Sequence, residues 1–277
     1  VAHAHTYIEQ ATLLGDIDTE TVSLRVKLEG ISEEHTEDWE LRYTVYAPNS
    51  SEPVINRTIP FLPTPNEEGE VRFHTEFALP DPLLWSVDTP NLYTATLTLL
   101  HAHTPIDTLT TRFGIRKIET RDGWVWLNHQ PIFLVGVLDQ DFYPRTLYTP
   151  PSREYLRDQF IKAKQLGINL MRCHIKVPDP AYLELCDELG LLVWYEIPNG
   201  KKLTHAFQKR SRQTFLDMWN RDANHPSLCF ASIINESWGI DLNNPDERDW
   251  LRDSYYWAKS IASPWLIVDN SPCVPNF

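Results

Sequence analysis

The sequence predicts an immunoglobulin-type β-sandwich followed by a parallel β/α sheet. Three observations carry this. Apolar residues recur with period two up to about Gly114. After residues 113–123 the period changes, and short apolar runs alternate with amphipathic segments. Near the middle of the second half, the apolar run 228–234 stops abruptly on Asn235, Glu236, Ser237 and Trp238, the profile of a buried parallel strand delivering polar side chains at its C-terminal end.

In the first half the alternating sets are Val22, Leu24, Val26, Leu28; Leu41, Tyr43, Val45; Val71, Phe73; and Ala95, Leu97, Leu99. Turn-forming clusters such as Pro48-Asn49-Ser50 and Pro63-Thr64-Pro65-Asn66 separate them, which makes six or seven short strands. In the second half, strands are expected near 133–137, 168–174, 191–197, 228–236 and 266–270. The first helix has Ser152 as N-cap, Leu156, Phe160 and Ala163 on one face, and Gly167 just past its end. Asp179 caps the second, Pro180 takes its first position and Gly190 terminates it. A third is expected over 204–224 and a fourth over 246–262. Residues 136–139 read Gly-Val-Leu-Asp, so the glycine pattern of a dinucleotide-binding turn is missing. A full (β/α)8 barrel takes about 250 residues, and residues from Pro131 onward supply little more than half of that.

Of the 277 residues, 42% are hydrophobic and 23% charged, the balance of an ordinary globular protein. A formal net charge of -13 argues against nucleic acid and anionic membrane surfaces as partners. No apolar stretch reaches the roughly 18 residues that span a bilayer, and no leader is recognisable at Val1. Cys173, Cys186, Cys229 and Cys273 are expected to be thiols, three of them in or beside strand-like runs, which favours a reducing, cytoplasmic setting. His3/His5 and His101/His103 are expected to be surface histidines, and neither a metal nor a cofactor is expected. The glycosylation sequons at Asn49, Asn56 and Asn235 are read as chance matches.

Alternation within each strand indicates which side chains share a face near the C-terminal end. Arg172 pairs with His174, Trp194 with Glu196, and Ile234 with Glu236, while Asp139, Asp269 and Asn270 close the first and fifth strands. Acidic, basic and aromatic groups at successive strand ends describe a pocket for a hydroxyl-rich ligand. Glu196 is open to a structural or a substrate-binding role, and His174 equally so. Arg172 is read as the partner of a buried carboxylate, because an unpaired buried guanidinium is costly. Trp194 is expected in the core. Glu236, at the end of a nearly unbroken apolar run, is expected to be buried or half-buried and kept protonated by desolvation, as a general acid requires.

The chain resembles glycoside hydrolase family 2, the family of β-galactosidases, β-glucuronidases and β-mannosidases. The resemblance rests on Phe113-Gly114-Ile115-Arg116-Lys117, then Leu127-Asn128 with Pro131 and Gly136-Val137. It continues through Leu84-Trp85-Ser86 with Thr89-Pro90-Asn91-Leu92-Tyr93, Met171-Arg172-Cys173-His174, the segment 186–194, Asn224-His225-Pro226-Ser227 and Asn235-Glu236-Ser237. It implies domains at 1–114 and 115–277, the second being the N-terminal part of a TIM barrel with about five strands and four helices. It implies that Glu236 is the acid/base carboxylate, that Asn235 hydrogen-bonds the sugar 2-hydroxyl, and that Arg172 orients the nucleophile. Strict alternation points Asn235 away from Glu236, so a bulge or bend at the strand end is required. His129 replaces the Gly usual in the family's Leu-Asn-Gly-Pro type turn, a change that bears on turn geometry rather than chemistry.

The expected activity is that of a retaining exo-β-glycosidase acting by double displacement on a carbohydrate, with His174, Trp238, Glu196 and Asp139 joining Asn235 in substrate binding. A retaining enzyme needs a second carboxylate, which in this family comes from a later strand. The chain is therefore expected to be an inactive fragment that also lacks the family's N-terminal jelly roll. Its open sheet is expected to be covered by missing residues or by a second copy. The rival reading is a non-catalytic carbohydrate-binding or structural relative.

Overall fold

The structure is a computed structural model that describes residues 6–31, 37–66 and 70–271. His3, His5 and Cys273 lie outside the described residues. The chain divides into two units, the first formed by residues 1–85 and 91–116, the second by 86–90 and 117–277.

Seven antiparallel strands build the first unit: β1 (Tyr7–Asp16), β2 (Thr21–Glu29), β3 (Trp39–Tyr46), β4 (Pro53–Phe61), β5 (Val71–Ala78), β6 (Tyr93–His101) and β7 (Thr104–Phe113). They form two sheets, ordered β1-β2-β5 and β4-β3-β6-β7, the sandwich that the alternation predicts. Val22, Leu24 and Leu28 of β2 and Leu41, Val45, Ala95, Leu97 and Leu99 of β3 and β6 have no exposed surface. Each large side chain buried in this way contributes about 1.5–3 kcal/mol. Tyr43 of one sheet packs on Phe77 of the other with ring centroids 5.4 Å apart. His101 lies against the Trp39 ring at 4.6 Å. His103, in the β6–β7 turn, bonds Glu40 at 2.8 Å.

The second unit opens with a small antiparallel sheet, β8 (Ile118–Arg121), β9 (Trp124–Leu127) and β10 (Gln130–Pro131), which the sequence reading missed. The turn before β10 keeps left-handed geometry at Asn128 and at His129, with φ of 52° and 63°. Replacement of glycine by His129 therefore retains the turn at a strain of roughly 1–2 kcal/mol.

Five parallel strands follow, β11 (Gly136–Asp139), β12 (Leu170–Cys173), β13 (Leu192–Glu196), β14 (Leu228–Asn235) and β15 (Leu266–Ser271). Between them come α1 (Arg153–Gln165), α2 (Pro180–Leu189), α3 (His205–Asp222) and α4 (Pro245–Ile261). The order in the sheet is β11-β12-β13-β14-β15. A doubly wound sheet reverses its strand order at a switch point. Here each strand lies beside the next in sequence, which is the winding of a TIM barrel, and five strands of one are present.

Helix punctuation is as expected. Ser152 caps α1 by accepting from Tyr155 N, and Asp179 caps α2 ahead of Pro180. Gly190 ends α2 with φ 70°. A Cβ there would also stand 2.4 Å from Val87 O, so glycine is required twice over. Strand β11 begins three residues later than the expected 133, because Asn169 intervenes. Its side chain accepts from Val135 N at 2.8 Å and donates to Phe133 O at 2.9 Å, replacing ladder bonds there. All eight residues of β14 are buried, the cause of its apolar run. Cys173, Cys186 and Cys229 are buried thiols, and burial pushes the first two up, away from reactivity.

Candidate active site

The C-terminal ends of β12, β13 and β14 bring charged and polar groups together. Arg172 stands in register with Trp194, and Glu196 lies one pleat further along β13. Glu196 is fully buried. Its Oε1 accepts from Arg172 Nε and Nη2 at 3.1 and 2.9 Å, and its Oε2 accepts from Ile175 N at 2.8 Å. The expected partnership of Arg172 with a buried carboxylate is present. Of the two roles open to Glu196, the geometry displays the structural one: both oxygens are engaged in anchoring Arg172 and Ile175 N. Trp194 is half-buried, with the Arg172 guanidinium 5.1 Å from its ring and its Nε1 donating to Ser232 Oγ at 2.7 Å.

Arg172 Nη2 also donates to Asn235 Oδ1 at 2.6 Å. This sets the amide, since arginine only donates. Asn235 Nδ2 then donates to His174 Nε2 at 3.1 Å, leaving the proton on Nδ1, which faces Gln140 Oε1 at 3.2 Å. A directed chain of donors thus runs from Arg172, anchored on Glu196, through Asn235 and His174 to Gln140. The Asn235 backbone is clamped as well: its N donates to Asn199 Oδ1 at 3.1 Å, and Asn199 Nδ2 donates to its carbonyl at 3.0 Å.

Directly after Asn235 the backbone turns left-handed at Glu236 and Ser237, φ 54° and 58°, supplying the bend that alternation required. The end of β15 holds this turn. Glu236 N donates to Ser271 O at 2.7 Å, Ser237 N to Asn270 Oδ1 at 3.0 Å, and Asn270 Nδ2 to Ser237 Oγ at 2.9 Å. Gly239, at φ 77°, completes it, since a Cβ there would lie 2.4 Å from Gly200 O. The same turn overturns one expectation, because it lifts Glu236 out of the apolar run and leaves it exposed rather than buried. Trp238, 57% exposed, donates from Nε1 to Glu236 Oε2 at 3.3 Å.

Asp139 is not drawn into this cluster. It aligns with Cys173, and its carboxylate accepts from the buried Tyr182 hydroxyl at 3.0 Å and from Asp141 N at 2.8 Å. Among the described residues no group of three or more His, Cys, Asp or Glu is gathered as a metal-ligand set. Asn199, Gln140 and Ser232 were missed by sequence reasoning. The one signal was the position of Asn199 just past a strand end, in Ile197-Pro198-Asn199-Gly200.

A sandwich joined to a β/α-barrel sheet, with a carboxylate presented after the fourth strand beside a braced amide, has the layout of a carbohydrate-active enzyme. Comparison with known proteins agrees. The model for glycosyl hydrolases family 2 matches residues 6–116, and that for the family's TIM barrel domain matches 118–262. The chain belongs to glycosyl hydrolase family 2. It is similar to a β-galactosidase of Thermoanaerobacter pseudethanolicus, 29% identical over 181 residues, which covers 64% of this chain and 23% of that protein. It is also similar to a β-galactosidase of Oenococcus oeni, 27% identical over 271 residues, covering 90% and 25%. The crystal structure of Parabacteroides merdae β-glucuronidase matches with a TM-score of 0.78 at 25% identity, covering 95% of this chain and 33% of that one. The chain thus spans about a quarter of the length of these curated relatives.

Proposed function

We propose that the protein is a retaining exo-β-glycosidase in which Glu236 is the proton donor. The observation that carries this reading is the presentation of Glu236 by a left-handed turn at the end of β14, directly after an asparagine braced by Arg172 and His174. Glu236 gives its proton to the glycosidic oxygen as the bond to the anomeric carbon breaks, then takes a proton from the water that releases the sugar. Asn235 has one amide hydrogen committed to His174, and its second is assigned to the sugar 2-hydroxyl. Because Glu236 is exposed, exclusion of water from it falls to the bound sugar and to the remainder of the protein.

Attack on the anomeric carbon needs a second carboxylate about 5–5.5 Å from the first. Glu196 is spent on Arg172 and Ile175, so we assign the nucleophile to a part of the protein outside these residues. The chain by itself then supplies the proton donor without the attacking group. The β-galactosidase and β-glucuronidase relatives make β-galactosides and β-glucuronides the first substrates to try. The full protein is incubated with 4-nitrophenyl β-galactoside and β-glucuronide, and the first-formed sugar is followed by proton NMR. A β-anomer is expected from one of them. An α-anomer, or release from neither, contradicts the proposal.

A further inference from the structure

The loop between β11 and α1 exposes two aromatic rings that the chemistry above does not use. Phe142 and Tyr148 are 56% and 50% exposed, packed edge-on with centroids 5.7 Å apart. Beneath them lies Lys176, only 1% exposed. Its ammonium donates to the Asp141 and Tyr148 carbonyls, pairs with the Asp141 carboxylate at 2.7 Å, and stands 4.1 Å from the Tyr148 ring and 5.0 Å from Phe142. The second oxygen of Asp141 accepts from the Tyr143 hydroxyl at 2.8 Å. A two-way backbone bridge between Tyr143 and Leu147 closes the loop.

Burying an ammonium and a carboxylate has a desolvation cost of several kcal/mol. Here they hold a surface loop rigid from below while its rings face outward. Rigid, amphipathic rings lose little entropy on binding and offer flat faces to the C–H groups of a sugar. Gln140, next in the chain to Asp141, is bonded to His174 and through it to Asn235, so the rings stand on the loop tied to the proposed site.

We propose that Phe142 and Tyr148 form the aromatic platform for the leaving-group side of the substrate, a corner of two nearly perpendicular rings in which one stacks on the face of a pyranose joined to the sugar that is cleaved off and the other stands against its edge. This rests on the glycosidase reading for the position of the cleaved bond, and the test separates the two. Lactose has a leaving-group pyranose and β-galactosyl fluoride has none; the glucuronyl pair takes their place if the protein cleaves that sugar. In the full protein, Phe142→Leu and Tyr148→Leu keep apolar bulk while removing the flat ring. Each is expected to raise KM for the disaccharide by about fivefold to tenfold, with kcat/KM for the fluoride within about twofold of wild type. Phe142→Trp restores the disaccharide KM. Unchanged disaccharide KM in both leucine variants overturns the platform, whatever the fluoride shows. Should the wild type hydrolyse neither substrate, the glycosidase reading fails, and calorimetric titration with lactose decides for the rings: binding lost in the leucine variants supports them, and equal or absent binding overturns them.

Discussion

At the scale of single residues, the site is organised by one buried carboxylate. Glu196 has no exposed surface and neutralises Arg172, which in turn sets the amide of Asn235. Removing one partner of a buried pair leaves the other uncompensated, at about 3–5 kcal/mol. Glu196→Gln is therefore expected to destabilise the second unit by about that amount in urea denaturation; unchanged stability contradicts the anchor role. Alternation made Arg172 and Glu196 legible, because both lie inside regular strands. The exposure of Glu236 was not legible: the apolar run ends two residues before it, and a left-handed pair of non-glycine residues leaves no periodic mark. Asn199 and Gln140 act through contacts distant in sequence, which no local pattern reports.

At the scale of elements, apolar periods placed the four helices and the five parallel strands, with Ser152 marking the start of α1 and Asp179 and Gly190 the two ends of α2. The β8–β10 sheet escaped because its strands are only two to four residues long and run too briefly for a period to show. Away from the site, α2 is tied to the segment entering β14. Asp187 accepts from Ser227 N at 3.0 Å and bonds His225 Nδ1 at 2.5 Å. Burial works to lower the His225 pKa, but the Asp187 carboxylate outweighs it, and the net shift is upward from 6.5. The folded state therefore holds this proton more tightly than the unfolded chain. Its stabilisation is full below about pH 6.5 and is lost as pH rises through the folded value. The melting-temperature gap between wild type and His225→Gln is expected to be widest near pH 6 and to narrow toward pH 9. A gap that widens with pH contradicts this.

At the scale of the molecule, among the described residues β11 pairs only with β12 and β15 only with β14. A parallel sheet is buried on both faces and leaves unpaired backbone at each open edge, so we propose that further chain or a second copy covers these edges in the working protein. That agrees with a chain spanning about a quarter of its relatives. In such an enzyme the proposed division of labour gives this segment the proton donor and its brace. The most direct test is the leaving-group dependence of Glu236→Gln in the full protein. For a poor leaving group such as a methyl β-glycoside, kcat/KM is expected to fall by on the order of a hundredfold or more, while the corresponding glycosyl fluoride, whose departure needs little protonation, is cleaved at nearly the wild-type rate in the first step. Equal losses for both, or no loss for either, would show that Glu236 does not deliver the proton.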